Sequence, residues 1–207
     1  ADAFLYGDAT DSGNTKKDTI QGILDLATGG GAWTYLSTTT ASNTSSIDIT
    51  SADGLDNSVY SSYAFYLESV YSNTSGETIT LLTSDSNGVS YDGSSYFYAF
   101  NALDDAGTDL STQSGSASYI PLGSAGAGSE VYGHWGWIYA SGAARTVNGP
   151  GITFNLNGRD AGNDFFNFVG GGAHNDTHDS GGVDAYRLVS TSGNISGNVY
   201  VYGVKLS

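Results

Sequence analysis

The sequence has no cysteine, no methionine and only two prolines among its 207 residues. Without cysteine there is neither a disulfide nor a thiolate metal site. Its six lysine and arginine residues stand against 21 aspartate and glutamate residues, so the formal net charge is −15 at pH 7. Nucleic acid and anionic lipid repel such a chain, and we expect neither as a partner. No apolar run reaches the roughly 18 residues of a membrane span, so membrane insertion is not expected.

Glycine and aromatic residues are abundant instead, with 30 glycines and 15 tyrosines. Turn-forming residues separate short runs of β-branched and aromatic residues, and this pattern predicts an all-β protein. No lysine or arginine occurs between Lys17 and Arg145. Salt bridges therefore cannot organise the middle of the chain, which must depend on packing and on backbone hydrogen bonds.

Residues 1–31 differ in pattern from the rest and are predicted to form an N-terminal arm. Asp18 and Gln21 have the spacing of a capping box, which predicts that a short helix begins at Asp18. Three glycines at 29–31 end this helix. The apolar residues at helical spacing are Ile20, Ile23, Leu24 and Ala27.

From residue 32 onward the apolar period becomes two, as in β-strands. Many short strands without intervening helices predict a domain over 32–207 that is an antiparallel, jelly-roll-like β-sandwich of about ten strands. The predicted strands are 33–37, 46–50, 60–71, 77–84, 95–102, 130–140, 151–157, 165–170, 183–190 and 197–204.

The segment 174–179 is the densest cluster of potential metal ligands. His174, Asp176 and His178 could bind a divalent cation if the segment folds back on itself, and the alternative is a solvated hairpin loop. A structural calcium ion is a further alternative, because aspartate and asparagine cluster near residues 85–88, 104–109 and 160–164. None of these loops has the ligand pattern of an EF-hand, and short turns favour the same residues for their geometry alone. No cofactor is therefore expected.

Catalytic motifs are missing from the sequence. It has no G-x-S-x-G motif and only three histidines. Its many carboxylates could supply the pair that a glycosidase needs, but an acidic surface places carboxylates everywhere, so they are not a specific signal. We expect no enzymatic activity.

The segment 132–139 contains a row of aromatic residues. Strand alternation places Trp135, Trp137 and Tyr139 on one face and His134 and Ile138 on the other. The row could stack against sugars, but a role in the core or between subunits is the preferred interpretation.

Several segments resemble a group of bacteriophage virion proteins that is common in marine phages. The resemblance begins at 30–42 (GGAWTYLSTTTAS) and 47–49 (IDI) and continues at 63–67 (YAFYL) and 83–91 (TSDSNGVSY). It ends at 183–190 (VDAYRLVS) and 192–205 (SGNISGNVYVYGVK). The first 30 residues are similar to the link that precedes such domains in phage fibre proteins.

The resemblance implies a non-enzymatic component of the virion surface, either a fibre or a capsid decoration protein. The arm would dock onto capsid or tail proteins, and the chain would form a homo-oligomer, with a trimer expected by analogy with phage fibres. The alternative is a receptor-binding or secreted carbohydrate-binding module that recognises surface glycans through Trp135, Trp137 and Tyr139. The predicted docking residues are Phe4, Leu5, Ile20, Ile23 and Leu24.

Overall fold

The chain divides into two compact units, residues 1–33 and 34–207, two residues from the predicted boundary. The fold is described here from a computed structural model. The described residues are 3–7, 15–19, 33–105, 109–124, 133–147, 149–159, 164–178 and 181–205.

The described part of the first unit is an antiparallel hairpin of β1 (Ala3–Gly7) and β2 (Thr15–Thr19). Phe4 pairs with Asp18 and Leu5 with Lys17. The predicted helix start at Asp18 is therefore wrong, because Asp18 lies within β2, where threonines at both ends favour a strand. The rest of the predicted helix, including Ile20, Ile23 and Leu24, lies outside the described residues.

The second unit is all-β, as predicted, with two antiparallel sheets of eight and four strands. The described residues contain one helix, the 3-10 turn Ser51–Asp53, and no helix there is long and apolar enough to cross a membrane. The strands are β3 (Trp33–Thr44), β4 (Ile47–Ile49), β5 (Ser62–Ser72), β6 (Thr78–Ser84), β7 (Tyr96–Asp104), β8 (Asp109–Ala117), β9 (Ile120–Ser124), β10 (His134–Ser141), β11 (Gly151–Arg159), β12 (Phe165–His174), β13 (Ala185–Ser190) and β14 (Ile195–Val204).

Eight of these strands have the order of a jelly roll. The large sheet begins β3-β14-β5-β10, and the small sheet is β4-β13-β6-β9. Along the chain these strands alternate between the two sheets, except that β6 and β9 are neighbours in the small sheet. This is the double Greek key of a jelly-roll-like sandwich.

Two inserted hairpins widen the large sheet beyond this set of eight. The hairpin β11-β12 pairs onto β10, and the hairpin β7-β8 then pairs onto β12. Sequence reasoning identified ten of the twelve strands and missed β8 and β9. Both are edge strands, where polar residues and proline are tolerated: β8 is rich in serine and threonine, and β9 contains Pro121.

The hydrophobic core lies between the two sheets and takes large side chains from both. The rings of Phe65 on β5 and Tyr186 on β13 are 4.9 Å apart. Both side chains are almost fully buried, as are Leu67 and Ile138 of the large sheet and Leu81 of the small one. The alternating apolar residues of facing strands thus close one continuous core.

Strand β5 contains a bulge that sets the position of an acidic side chain. Ser69 is the extra residue, with a positive φ of 52°. A Cβ atom on Gly197 of β14 would lie 2.5 Å from the Ser69 carbonyl oxygen, so the close approach of the two strands requires glycine there. The register next to the bulge pairs Glu68 with Asn198.

Candidate functional site

Two histidines and one aspartate from distant parts of the chain come together at the end of β12. His174 is the last residue of β12, and His178 lies in the segment that follows. The backbone N–H of His178 donates to the Thr146 carbonyl at 2.8 Å. Asp92 lies between β6 and β7, and its N–H donates to the carbonyl of Thr83 on β6 at 3.0 Å. Backbone hydrogen bonds to β6 and to the segment after β10 therefore hold this cluster, which we call the His–Asp cluster.

The polar atoms of the His–Asp cluster converge closely. His174 Nδ1 lies 3.4 Å from His178 Nε2 and 3.5 Å from Asp92 Oδ2. The outward-facing nitrogens have partners of their own: His174 Nε2 lies 2.9 Å from the Ser94 carbonyl oxygen, and His178 Nδ1 lies 3.8 Å from Asp85 Oδ2. Both histidine side chains are buried, whereas the side chain of Asp92 is 35% exposed.

Burial also governs the protonation of this cluster. Desolvation lowers the pKa of His178, and the neighbouring His174 lowers it further. Desolvation raises the pKa of Asp92, and the two histidines partly oppose that rise. Both shifts favour the uncharged forms of the buried groups.

The structure brings together two of the three residues that the sequence suggested as metal ligands. Asp176, the third, is exposed, and its Oδ1 accepts a hydrogen bond from the backbone N–H of Thr177 at 2.8 Å. Among the described residues, the only three histidine or acidic side chains whose donor atoms converge are those of Asp92, His174 and His178. Asp92 lies in the connection between β6 and β7, and no local pattern connects it with the histidines.

The turn at 85–88, one of those that suggested calcium, uses polar groups of Asn87 within the protein. The Asn87 side chain accepts from the N–H of Ser51 at 3.0 Å, and the Asn87 N–H donates to Asp184 at 2.7 Å. Asp160 and Asn163 lie outside the described residues. These bonds of Asn87 agree with the geometric preference of short turns for asparagine.

A second candidate site is an aromatic surface on the outside of the large sheet, which we call the outer aromatic face. Trp137 is at its centre, with ring centroids 5.0 Å from Tyr66, 5.6 Å from Tyr202 and 6.0 Å from Tyr139. The face crosses four neighbouring strands, β3, β14, β5 and β10. Its members are Tyr35, Tyr66, Trp137, Tyr139, Tyr200 and Tyr202.

Polar groups border the outer aromatic face. Glu68 Oε2 accepts hydrogen bonds from the Tyr200 hydroxyl at 2.8 Å and from Asn198 Nδ2 at 3.0 Å. These bonds, that from Tyr200 first, lower the pKa of Glu68, so its carboxylate stays charged. Flat rings beside fixed hydrogen-bonding groups are a combination suited to a sugar ring or to another polar and aromatic surface.

Strand alternation placed the predicted row on the correct face, but the row lies outside the core. Trp135 and Trp137 are half-buried and Tyr139 is 37% exposed, whereas His134 and Ile138 on the opposite face are fully buried. The interpretation of the row as core is therefore wrong. A sugar-binding or subunit-contact role remains for this surface.

No protein-family model matches the chain, and no curated protein or solved structure matches it significantly.

Proposed function

We propose that this protein is a non-enzymatic structural component of the surface of a bacteriophage particle, as a capsid decoration protein, head fibre or tail fibre. The observation that carries the proposal is the division into a small N-terminal unit and a larger jelly-roll-like sandwich. A surface protein needs one part that attaches and one part that projects. The resemblance of residues 30–207 to phage virion proteins supports the same function.

The charge and composition suit a protein that projects from a particle. A net charge of −15 disfavours association between particles, and the absence of cysteine and methionine removes the side chains most sensitive to oxidation. Symmetric self-association, with a trimer as the expected form, would bury further apolar surface.

Assembly would proceed through the N-terminal unit, with capsid or tail proteins as partners. Phe4 and Leu5 lie on β1, and Lys16 and Lys17 lie on the partner strand β2, where Lys17 is opposite Leu5. This unit therefore offers both apolar and basic groups, whereas the sandwich is mainly acidic. In this proposal Ile20, Ile23 and Leu24 join the same contact.

We expect deletion of residues 1–28 to abolish incorporation into particles while the sandwich remains folded. The sandwich keeps its own core: among the residues that the structure describes, the buried core begins at Ala41, with Leu36 packed against it. Immunogold electron microscopy of purified particles, with antibody against residues 34–207, measures incorporation, and circular dichroism of the truncated protein measures folding. Label on heads indicates decoration, and label on tails or fibres indicates host recognition.

A finer comparison separates docking from folding. The double change Phe4→Ala and Leu5→Ala is expected to reduce labelling strongly, and the control Val89→Ala, at an 89% exposed position of the sandwich, is not. Normal incorporation of the truncated protein would contradict docking through the arm. Absence of label from every particle would contradict the virion proposal itself.

A second candidate function is recognition of surface glycans, and the outer aromatic face is the observation that favours it. The rings are half-exposed and adjacent, and Glu68 and Asn198 provide hydrogen-bonding groups beside them. Such a surface is compatible with a receptor-binding fibre as well as with a secreted carbohydrate-binding module.

We expect Trp137→Ala to remove saturable binding on a glycan array, because Trp137 is the ring that contacts three others. Val169→Ala, at a 47% exposed position of β12, is the matched control and should bind like the unmodified protein. Sedimentation of both variants tests the subunit-contact role of the same surface. If Trp137→Ala makes the protein monomeric and either leaves glycan binding unchanged or the unmodified protein binds no glycan, the outer aromatic face is a subunit contact and glycan recognition by it is contradicted.

A further inference from the structure

We propose that Asp92, His174 and His178 bind a divalent first-row transition metal, with Zn²⁺ as the expected ion. This proposal is independent of any place in a virion, because it concerns only the His–Asp cluster. The three donor atoms lie within 4.8 Å of one another.

The separations match those of ligands around one ion. A tetrahedral zinc ion with ligands at about 2.0 to 2.1 Å holds neighbouring ligand atoms about 3.3 to 3.4 Å apart. His174 Nδ1 lies 3.4 Å from His178 Nε2 and 3.5 Å from Asp92 Oδ2. Small side-chain adjustments would place all three atoms on one ion.

The polar groups behind the two rings direct the lone pairs of the inward nitrogens toward the cluster. The Ser94 carbonyl can only accept, so the proton of neutral His174 resides on Nε2, and Nδ1 faces the cluster with a lone pair. The carboxylate of Asp85 faces His178 Nδ1 and favours a proton there, which leaves Nε2 as the inward donor. A metal-binding histidine typically has this kind of carbonyl or carboxylate partner on its other nitrogen.

A proton on His178 Nε2 would not satisfy all three inward atoms. It could donate to His174 Nδ1, but Asp92 Oδ2 would gain nothing from that bond. This carboxylate oxygen is inaccessible to solvent and has no hydrogen-bond partner among the described residues. A buried acceptor in that state is costly, and a shared cation would satisfy it together with both nitrogens.

The backbone leaves space at the inward nitrogens. Gly149 lies beside the cluster, and a Cβ atom there would be 3.0 Å from His178 Nε2 and 2.9 Å from the His174 carbonyl oxygen. Any larger residue at position 149 would crowd the atom that we assign as a ligand.

The donor set selects the class of metal. Imidazole nitrogens suit zinc and its first-row neighbours, whereas calcium and magnesium prefer sites made of oxygen atoms. Three protein ligands leave the fourth zinc position for water or for another group. The partial exposure of Asp92 provides access from solvent.

Such an ion would join the two sheets. His174 belongs to the large sheet, and Asp92 is hydrogen-bonded through its backbone to Thr83 of the small sheet. Binding should therefore raise the melting temperature, since only the folded chain brings the three ligands together.

The test uses the full chain without a polyhistidine tag, stripped of metal with a chelator. Calorimetric titration with ZnCl₂ is expected to show one equivalent bound with a dissociation constant of about 1 µM or lower. The melting temperature should rise by several degrees at saturation. Cobalt chloride should give the visible absorption of a tetrahedral Co²⁺ complex.

Variants locate the site. Asp92→Asn and His178→Gln should each weaken zinc binding at least about tenfold, and Asp176→Asn, a change of a nearby exposed carboxylate, should leave it unchanged. Asp92 is partly exposed, so its asparagine variant should fold even if the histidine variant does not. Absence of saturable zinc binding, equal binding by Asp92→Asn, or stabilisation by calcium in place of zinc would each overturn the proposal.

Discussion

Replacement of Phe65 by alanine is expected to lower the free energy of unfolding by about 4 kcal/mol. Phe65 lies on β5, between two neighbours in its own sheet, and is 1% exposed. Its ring lies 6.5 Å from that of Tyr63 and 4.9 Å from that of Tyr186 in the opposite sheet. Rigid aromatic neighbours cannot collapse into the space, so the substitution leaves most of a ring-sized cavity.

Urea unfolding of the purified protein measures this effect. Val169→Ala serves as the control, because Val169 is an exposed apolar residue of the same sheet, and its loss should cost less than about 1 kcal/mol. Phe65→Leu should fall between the two. A loss near that of the control would mean that the two sheets do not share one close-packed core.

The second large expected effect is a loss of stability in mild acid, caused by the titration of His134. His134 is fully buried, and desolvation lowers its pKa to about 4, against backbone hydrogen bonds that partly oppose the shift. In the unfolded chain the same group titrates near its ordinary value of about 6.5. As the pH falls, the unfolded state takes up a proton before the folded state does. The contribution of neutral His134 to the free energy of unfolding is therefore complete above about pH 6.5 and decreases as the pH falls toward 4. The full difference is about 3 kcal/mol.

Unfolding free energies at pH 7 and pH 5 test this contribution while the protein stays above its isoelectric point of about 4.1. About 2 kcal/mol of the effect falls in that interval. His134→Gln retains a donor for the Gly123 carbonyl, 3.3 Å from His134 Nε2, and removes the titration. All other titrating groups are common to both proteins, so the difference between their pH slopes isolates His134. Equal slopes would show that His134 titrates normally in the folded protein.

The core strands could be predicted from sequence because their composition and alternation are local properties. Val199, Val201 and their neighbours alternate cleanly, and β14 lies where the pattern predicts it. Strand β8 carries no such signal, since an edge strand exposed to solvent does not need apolar residues on either face. Strand β2 (Thr15–Thr19) was not predicted, because the spacing of Asp18 and Gln21 imitates a capping box and so predicts a helix start.

Only part of each candidate site could be predicted from the sequence, for a related reason. His174 and His178 are close in sequence, and Trp137 and Tyr139 share one strand, so each pair could be found. Their partners come from other strands and loops. Asp92 lies near the histidines because the two sheets pack together, and Tyr66 lies near Trp137 because β5 is beside β10. Strand order depends on the total packing of the chain, which no local pattern specifies.

The place of β14 in the large sheet constrains how the protein comes to be folded. This strand, residues 195–204, inserts between β3 and β5, which the ribosome completes much earlier. Until β14 emerges, β3 and β5 cannot acquire their shared neighbour, and the strand edges that β14 joins remain unpaired in the nascent chain. Closing so long a loop is entropically slow, so we expect the large sheet to form only after β14 has been synthesised, and folding to be slow for a domain of this size. Rapid expression would therefore favour aggregation of incomplete chains, whereas lower temperature and slower synthesis should increase the yield of native protein.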